Sequence, residues 1–406
     1  MLLSETIRIP VAIGRRSDRN RTNLSRCVLR GFYFGGGSFP GRPFLLPSRA
    51  NQAVQKLTLT FRTGASESQM MRLSYLIPVL GSAACGQVFP ITTDASNDAP
   101  AIEDSMPHTA SCADLPLTCG PNANASCCDS KTIPGGMVYR EYDGVNYLDK
   151  SHPARVSTFR LDTYEVTVGR FRQFVSAGFG TRAKPPATGA GARTLNGSSS
   201  QAGWDPAWTT ALLADQAALI AALDCNTFAT WTDKPANHEN LPITCITWYE
   251  AQAYCIWDGG FLPTITESMY AMGGGSLQRV YPWSTPPTST KVDCTQTNYG
   301  GTKWPSTACN ADGAMRVGSK SPAGDGAFGQ ADLGGNAFEW ALDWATVTYL
   351  DPCNDCADLT QGQANSRVLR GGSFESNEGE LRGAGSFNGL PPKSRASWVG
   401  ARCARY

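Results

Sequence analysis

Twelve cysteines between Cys112 and Cys403 constrain this chain more than any other feature. They stand at 112, 119, 127, 128, 225, 245, 255, 294, 309, 353, 356 and 403, an even number once Cys27 and Cys85 are set aside. Cysteines at that density predict a disulfide framework and therefore an oxidising compartment. Zinc is the rival reading, because Cys353-Asn-Asp-Cys356 is a CxxC pair. No second CxxC follows, and the chain has three histidines, His108, His152 and His238. A structural zinc needs about four thiolate or imidazole ligands, so the disulfide reading is preferred there too.

Composition narrows the fold further. The 406 residues are 17% charged and include 42 glycines. Few charges and many glycines favour a loop-rich mixed fold over a helical bundle. Ten tryptophans and 41% hydrophobic residues exclude global disorder. The net charge of +1 conceals an asymmetry. Residues 1–69 hold eleven Lys and Arg against Glu5, Asp18 and Glu67, whereas residues 86–406 hold 23 against 31 acids.

The charge reverses across Met70–Cys85, MMRLSYLIPVLGSAAC. A short positive start, an apolar stretch of roughly a dozen residues and small residues before a cleavage point make a secretory leader. Residues 1–69 then precede a signal. They read as a doubtful basic extension, disordered or translated from an upstream start, rather than as a nucleic-acid arm. No nucleic-acid partner is predicted. The leader ends Ser82-Ala83-Ala84-Cys85, similar to a lipoprotein signal, although Ser82 stands where leucine is usual. Cys85 is the candidate lipidation site, and cleavage near Ala84 with full release is the alternative. The expectation is an extracytoplasmic protein, either a cell-envelope lipoprotein or secreted. Membrane contact would come through Cys85 alone, since the apolar stretch is too short to span a bilayer.

The mature chain divides by composition. Residues 86–111 are rich in Ala, Asp, Ser and Pro and read as a disordered tether. Residues 112–132 are a cysteine-rich segment, and the globular body runs from 133 to 406. Within it, Val156–Leu161 alternates like a strand. Thr163–Val175 reads as a helix entered through a threonine cap, with Val168, Phe171, Phe174 and Val175 on one face. Residues 180–203 form a long loop, Thr209–Leu223 an Ala/Leu helix, and Thr247–Trp257 a helix with Trp248, Ala251, Tyr254 and Cys255 inward. Trp204, Trp208 and Trp231 are predicted core, although exposed ones could stack a sugar.

Five ordered motifs in the body carry a family resemblance. They are GGMVYREYD with HPARVSTFRLDTYEVTVGRFRQFV, then LPITCITWYEAQAYCIWDGGFLPT, VYPWS, VGSKSPAGDGAFGQADLGGNAFEWALDW, and RVLRGGSF with VGARCAR. Together they resemble the formylglycine-generating-enzyme, or sulfatase-modifying factor, domain from about Ile133 to Tyr406. The resemblance implies an α+β, C-type-lectin-like fold with little regular secondary structure. It also implies the family's chemistry, oxidation of a substrate cysteine by a copper(I)-binding cysteine pair that follows RGGS.

The sequence departs from that chemistry. Aligned on Arg370-Gly371-Gly372-Ser373, the copper-binding positions fall at Ser376 and Leu381. Soft thiolates suit Cu(I), whereas a hydroxyl and an isobutyl group do not. Copper is therefore not expected. Ser373 keeps a substrate-contacting position of the family, and Phe338 replaces the tryptophan of its groove. Ser373, Phe338, Ser376 and Leu381 are the candidate groove. The chain is read as an exported, non-catalytic domain binding a peptide or glycan there. A divergent oxidoreductase acting on protein cysteine and a structural surface lipoprotein are the alternatives. Three histidines, with no added His-rich domain, leave out the iron-binding branch of the family.

The resemblance also implies structural calcium. One site matches the side chains of Asn298 and Asp312 with the carbonyls of Tyr299 and Ala314. The other matches the side chains of Asp332 and Glu339 with the carbonyls of Gly335 and Ala337. Hard oxygen donors of this kind are what Ca²⁺ takes. A Cys255–Cys403 bridge follows from the family, whose second bridge is lost at Met272 and Ser386. Cys225–Cys245, Cys294–Cys309 and Cys353–Cys356 are added as local pairs, leaving the four cysteines of 112–128 to pair among themselves. Glu375, Glu378 and Glu380 are read as a solvated run rather than an acid/base set.

Overall fold

The computed structural model describes residues 110–113, 115–195, 203–300, 309, 313–346, 349–385 and 388–406, with four short strands nearer the start. The chain splits into two compact units, Met1–Ala99 and Pro100–Tyr406. In the first, β1 (Pro10–Ile13) pairs antiparallel with β2 (Ser25–Val28), and β3 (Gln55–Thr60) with β4 (Arg72–Ile77). β4 lies inside the expected leader, whereas Cys85 and the tether up to residue 109 fall outside the described residues.

The second unit is α+β with low regular content, as the sequence implies. One three-stranded sheet has the order β10 (Cys353–Asn354), β7 (Pro153–Val156), β6 (Gly136–Tyr139). Another has the order β14 (Ala404–Arg405), β8 (Phe159–Asp162), β5 (Ser130–Ile133). The central four-stranded sheet runs β12 (Asn388–Leu390), β11 (Arg367–Arg370), β9 (Phe338–Trp344), β13 (Val399–Gly400). Around it pack α1 (Val168–Ser176), α2 (Gln216–Leu223), α3 (Trp248–Trp257) and α4 (Ile265–Met272). Among the described residues no helix is long and apolar enough to cross a membrane.

Caps decide where the helices begin. α3 starts as expected, because Thr247 and Glu250 make a reciprocal capping box. α1 starts later than the sequence suggests, since Thr167 rather than Thr163 accepts the Arg170 N–H. The residues before it are held in extended pairing, with the Val166 N–H donating to the Ala401 carbonyl. The expected Thr209–Leu223 helix is two pieces, a 3-10 turn over Pro206–Ala211 and then α2, each opened by an aspartate cap. The expected strand Val156–Leu161 also breaks. Ser157 leaves the ladder to donate to Asp355, so β7 ends and β8 begins on another sheet.

The main core joins α1 and α3 to the central sheet through Phe171, Phe174, Trp204, Trp248, Tyr254 and Trp340. Trp204 and Trp231 are buried and Trp208 packs against the same cluster, as expected for core tryptophans. Among the described residues six disulfides join cysteines in the anticipated sets: 255–403, 225–245, 294–309, 353–356, 112–128 and 119–127. The cysteine-rich segment docks on the body, with Cys119 and Cys127 against Tyr164, Val317 and Ala331.

Candidate functional site

The candidate groove is built where β11 ends. Arg370 enters a turn at Gly371 and Gly372, with φ of +94° and +77°. A side chain at Gly372 would be strained by that backbone and would meet Leu381 Cδ2 at 2.7 Å. The turn closes on itself. The Ser373 N–H donates to Ser376 Oγ at 2.9 Å, the Ser376 N–H to the Ser373 carbonyl at 3.0 Å, and the Glu375 N–H to Ser373 Oγ at 3.2 Å. The Ser376 carbonyl accepts the Gly300 N–H at 2.9 Å. Ser376 is therefore a turn-locking residue, buried with its hydroxyl occupied.

Leu381 closes the following 3-10 turn, Glu378–Leu381, which Asn377 caps. It is fully buried among Val280, Tyr281, Trp283 and Tyr299. Phe338, at the start of β9, is buried in the main core and stands edge-on to Trp398 with ring centroids 5.5 Å apart. The fold thus brings Ser373, Ser376 and Leu381 together and seats Phe338 in a separate cluster. All four are buried. Ser376 offers only a hydroxyl and Leu381 no donor atom, so this pair does not fit copper(I). His238 Nδ1 lies 3.0 Å from the Thr230 carbonyl, and the His152 ring lies tilted at 37° beside Tyr349, with centroids 4.7 Å apart.

The calcium positions meet a different test. Asn298 is buried, and its Nδ2 donates to the Gly313 carbonyl at 3.0 Å and to Asn336 Oδ1 at 3.3 Å. Its Oδ1 is buried with no hydrogen-bond partner. An orphaned amide oxygen costs about 1–3 kcal/mol and fits a cation ligand. The Tyr299 carbonyl accepts the Cys309 N–H, Ala314 is described, and Asp312 lies outside the described residues.

At the second position the structure adds a carboxylate that the sequence reading missed. Glu165 accepts the Ala337 N–H at 2.9 Å and Asn336 Nδ2 at 2.6 Å. Asp332 accepts the Gly318 N–H at 2.5 Å, and Glu339 pairs with Arg402 at 2.8 Å. Burial holds Asp332 up at about 6 and raises Glu339. Burial and the neighbouring Asp332 and Glu339 raise Glu165 well above its ordinary value. Three buried carboxylates face one guanidinium, and burial favours the protonated form of each carboxyl that Arg402 does not neutralise. Among the described residues no three His, Cys, Asp or Glu side chains are grouped to hold a metal. A calcium ion here would lean on the carbonyls of Gly335 and Ala337. The one sequence sign of Glu165 is an acid set between Tyr164 and Val166 in an apolar run.

Comparison with known proteins agrees with this architecture. The family model described as the sulfatase-modifying factor enzyme 1-like domain matches residues 118–406. The formylglycine-generating enzyme of Mus musculus is 29% identical over 175 residues, 41% of this chain and 45% of that protein. The chain thus spans about half the length of that relative. The inactive C-alpha-formylglycine-generating enzyme 2 of Bos taurus is 27% identical over 296 residues, 67% of this chain and 86% of that protein. The solved structure of PvdO from Pseudomonas aeruginosa shares 18% identity at a TM-score of 0.45, covering 72% of this chain and 99% of that one. On the family match over residues 118–406, this chain belongs to the family of sulfatase-modifying factor enzyme 1-like domains.

Proposed function

We propose that this chain is an exported, non-catalytic member of its family; burial of Ser373, Phe338, Ser376 and Leu381 leaves none of these side chains to face a peptide or glycan. The observation that carries the reading is the pair Ser376 and Leu381. At the positions where the family binds copper, one side chain accepts a backbone N–H and the other fills an apolar cluster. A serine alkoxide is inaccessible near neutral pH, and leucine has no lone pair to offer. The scaffold survives the loss because disulfides, the aromatic core and buried ion pairs carry it. A relative bearing an inactive designation aligns over two thirds of the chain, which supports the same reading. Six disulfides support export. Titration with copper(I) against a chromophoric chelator tests the reading. The mature protein is expected to leave the chelator's copper untouched, and stoichiometric removal of that copper would overturn it.

A further inference from the structure

Alternation along β6 turns Met137 and Tyr139 outward, 49% and 39% exposed, while Val138 points to the core. The chain then bends so that Tyr142 stands edge-on to Tyr139, with centroids 6.2 Å apart and planes at 73°. Two rings at that angle are two walls of a corner. The Lys150 ammonium occupies the corner, 4.4 Å from the Tyr142 centroid and 5.5 Å from that of Tyr139.

The backbone beneath both walls is held. The buried Gln278 side chain accepts the Tyr139 N–H at 3.2 Å and donates to the carbonyls of Tyr139 and Tyr142 at 2.8 and 3.0 Å. One amide thus fixes the backbone from which both rings project. The loop beyond is held by Asp143, whose Oδ1 accepts the N–H groups of Val145, Asn146 and Tyr147. Its Oδ2 takes Arg382 Nη1 at 2.9 Å. Exposed Val145 and Leu148 lie on this loop, and exposed Leu277 precedes Gln278. Pre-formed aromatic walls bind cations without an ordering cost.

We infer that Tyr139 and Tyr142 form a binding site for a quaternary ammonium group, and that Lys150 is an internal stand-in for that ligand. The inference is independent of the non-catalytic reading. A primary ammonium gives up strong hydration on entering such a corner. A trimethylammonium group gives up less.

Saturation-transfer NMR with tetramethylammonium tests this. Wild-type protein should transfer saturation to the methyl protons. Lys150→Ala should bind about threefold tighter or more, because the internal competitor is gone. Tyr142→Ala should lose the signal and Tyr142→Phe should keep it, since the ring face makes the contact. N-acetyl-lysine methylamide should bind more weakly than tetramethylammonium. No transfer to either wild type or Lys150→Ala overturns the site, as does unchanged binding in Tyr142→Ala and Tyr139→Ala. Unchanged or weaker binding in Lys150→Ala overturns the stand-in role, and equal binding of the lysine amide overturns the quaternary preference. Near-UV circular dichroism checks that each variant is folded.

Discussion

Arg170 and Asp258 meet at 2.6 Å with both side chains fully buried. Arg170 also reaches Asp162 at 2.8 Å, the Ser111 hydroxyl at 3.0 Å and the Cys127 carbonyl at 3.3 Å. Arg405 of β14 joins the same two carboxylates. Two cations and two anions therefore tie α1, β8, the end of α3, the C-terminal strand and the cysteine-rich segment at one point. Arg170→Met leaves a buried carboxylate pair with one cation. We expect about 3–5 kcal/mol of lost stability in urea denaturation. Hydrogen exchange should rise in residues 110–128, whose Ser111 and Cys127 are held by Arg170.

The disulfides should contribute unequally. Cys255–Cys403 closes 148 residues and Cys353–Cys356 closes three. Loop-closure entropy assigns about 5 kcal/mol to the first and about 2 kcal/mol to the second. Paired Cys→Ala variants compared by chemical denaturation check the order, with the larger loss expected for 255/403.

Four of the six pairings were legible because three bridges are local and the long one lies in recognisable family motifs, whereas the 112–128 and 119–127 pairing was left open. α3 was legible because its capping box spans four consecutive residues. What the sequence concealed was long-range. Arg140, Arg170, Arg367 and Arg402 are all buried, and Arg367 lies 3.9 Å from the ring centroids of both Trp248 and Trp344. A one-dimensional reading gives such charges to solvent. Gln278 lies 139 residues from Tyr139, so no local pattern could announce the corner it builds. Burial of Ser373 and Ser376 had no local sign either, because turn closure by Ser376 depends on φ at Gly371 and Gly372.

Asp343 supplies a pH dependence. Burial pushes its carboxyl up to about 7, although it accepts the N–H groups of Ile265 and Asp358, each at 2.8 Å. Between about pH 4 and 7 the folded state holds a proton that the unfolded state has released. Stability from this group is therefore present at low pH and lost as pH rises through 7. Denaturation of wild type and Asp343→Asn from pH 4 to 8 should show the variant lacking that falling slope.

Calcium should stabilise the fold. The orphaned Asn298 Oδ1 is the atom that a divalent cation would satisfy. Millimolar calcium should raise the thermal midpoint of chelator-treated protein, and Asn298→Leu should reduce the gain. An unchanged midpoint in both proteins contradicts the assignment.

With Ser376 and Leu381 at the copper positions, the protein is expected to lack the family's oxidation chemistry. The direct measurement is mass spectrometry of a sulfatase-type cysteine peptide after incubation with the mature protein, copper(I) and oxygen. The peptide mass should remain that of the cysteine form, with no aldehyde. Multiple turnovers to the aldehyde would contradict the account and would mean that other residues perform the chemistry.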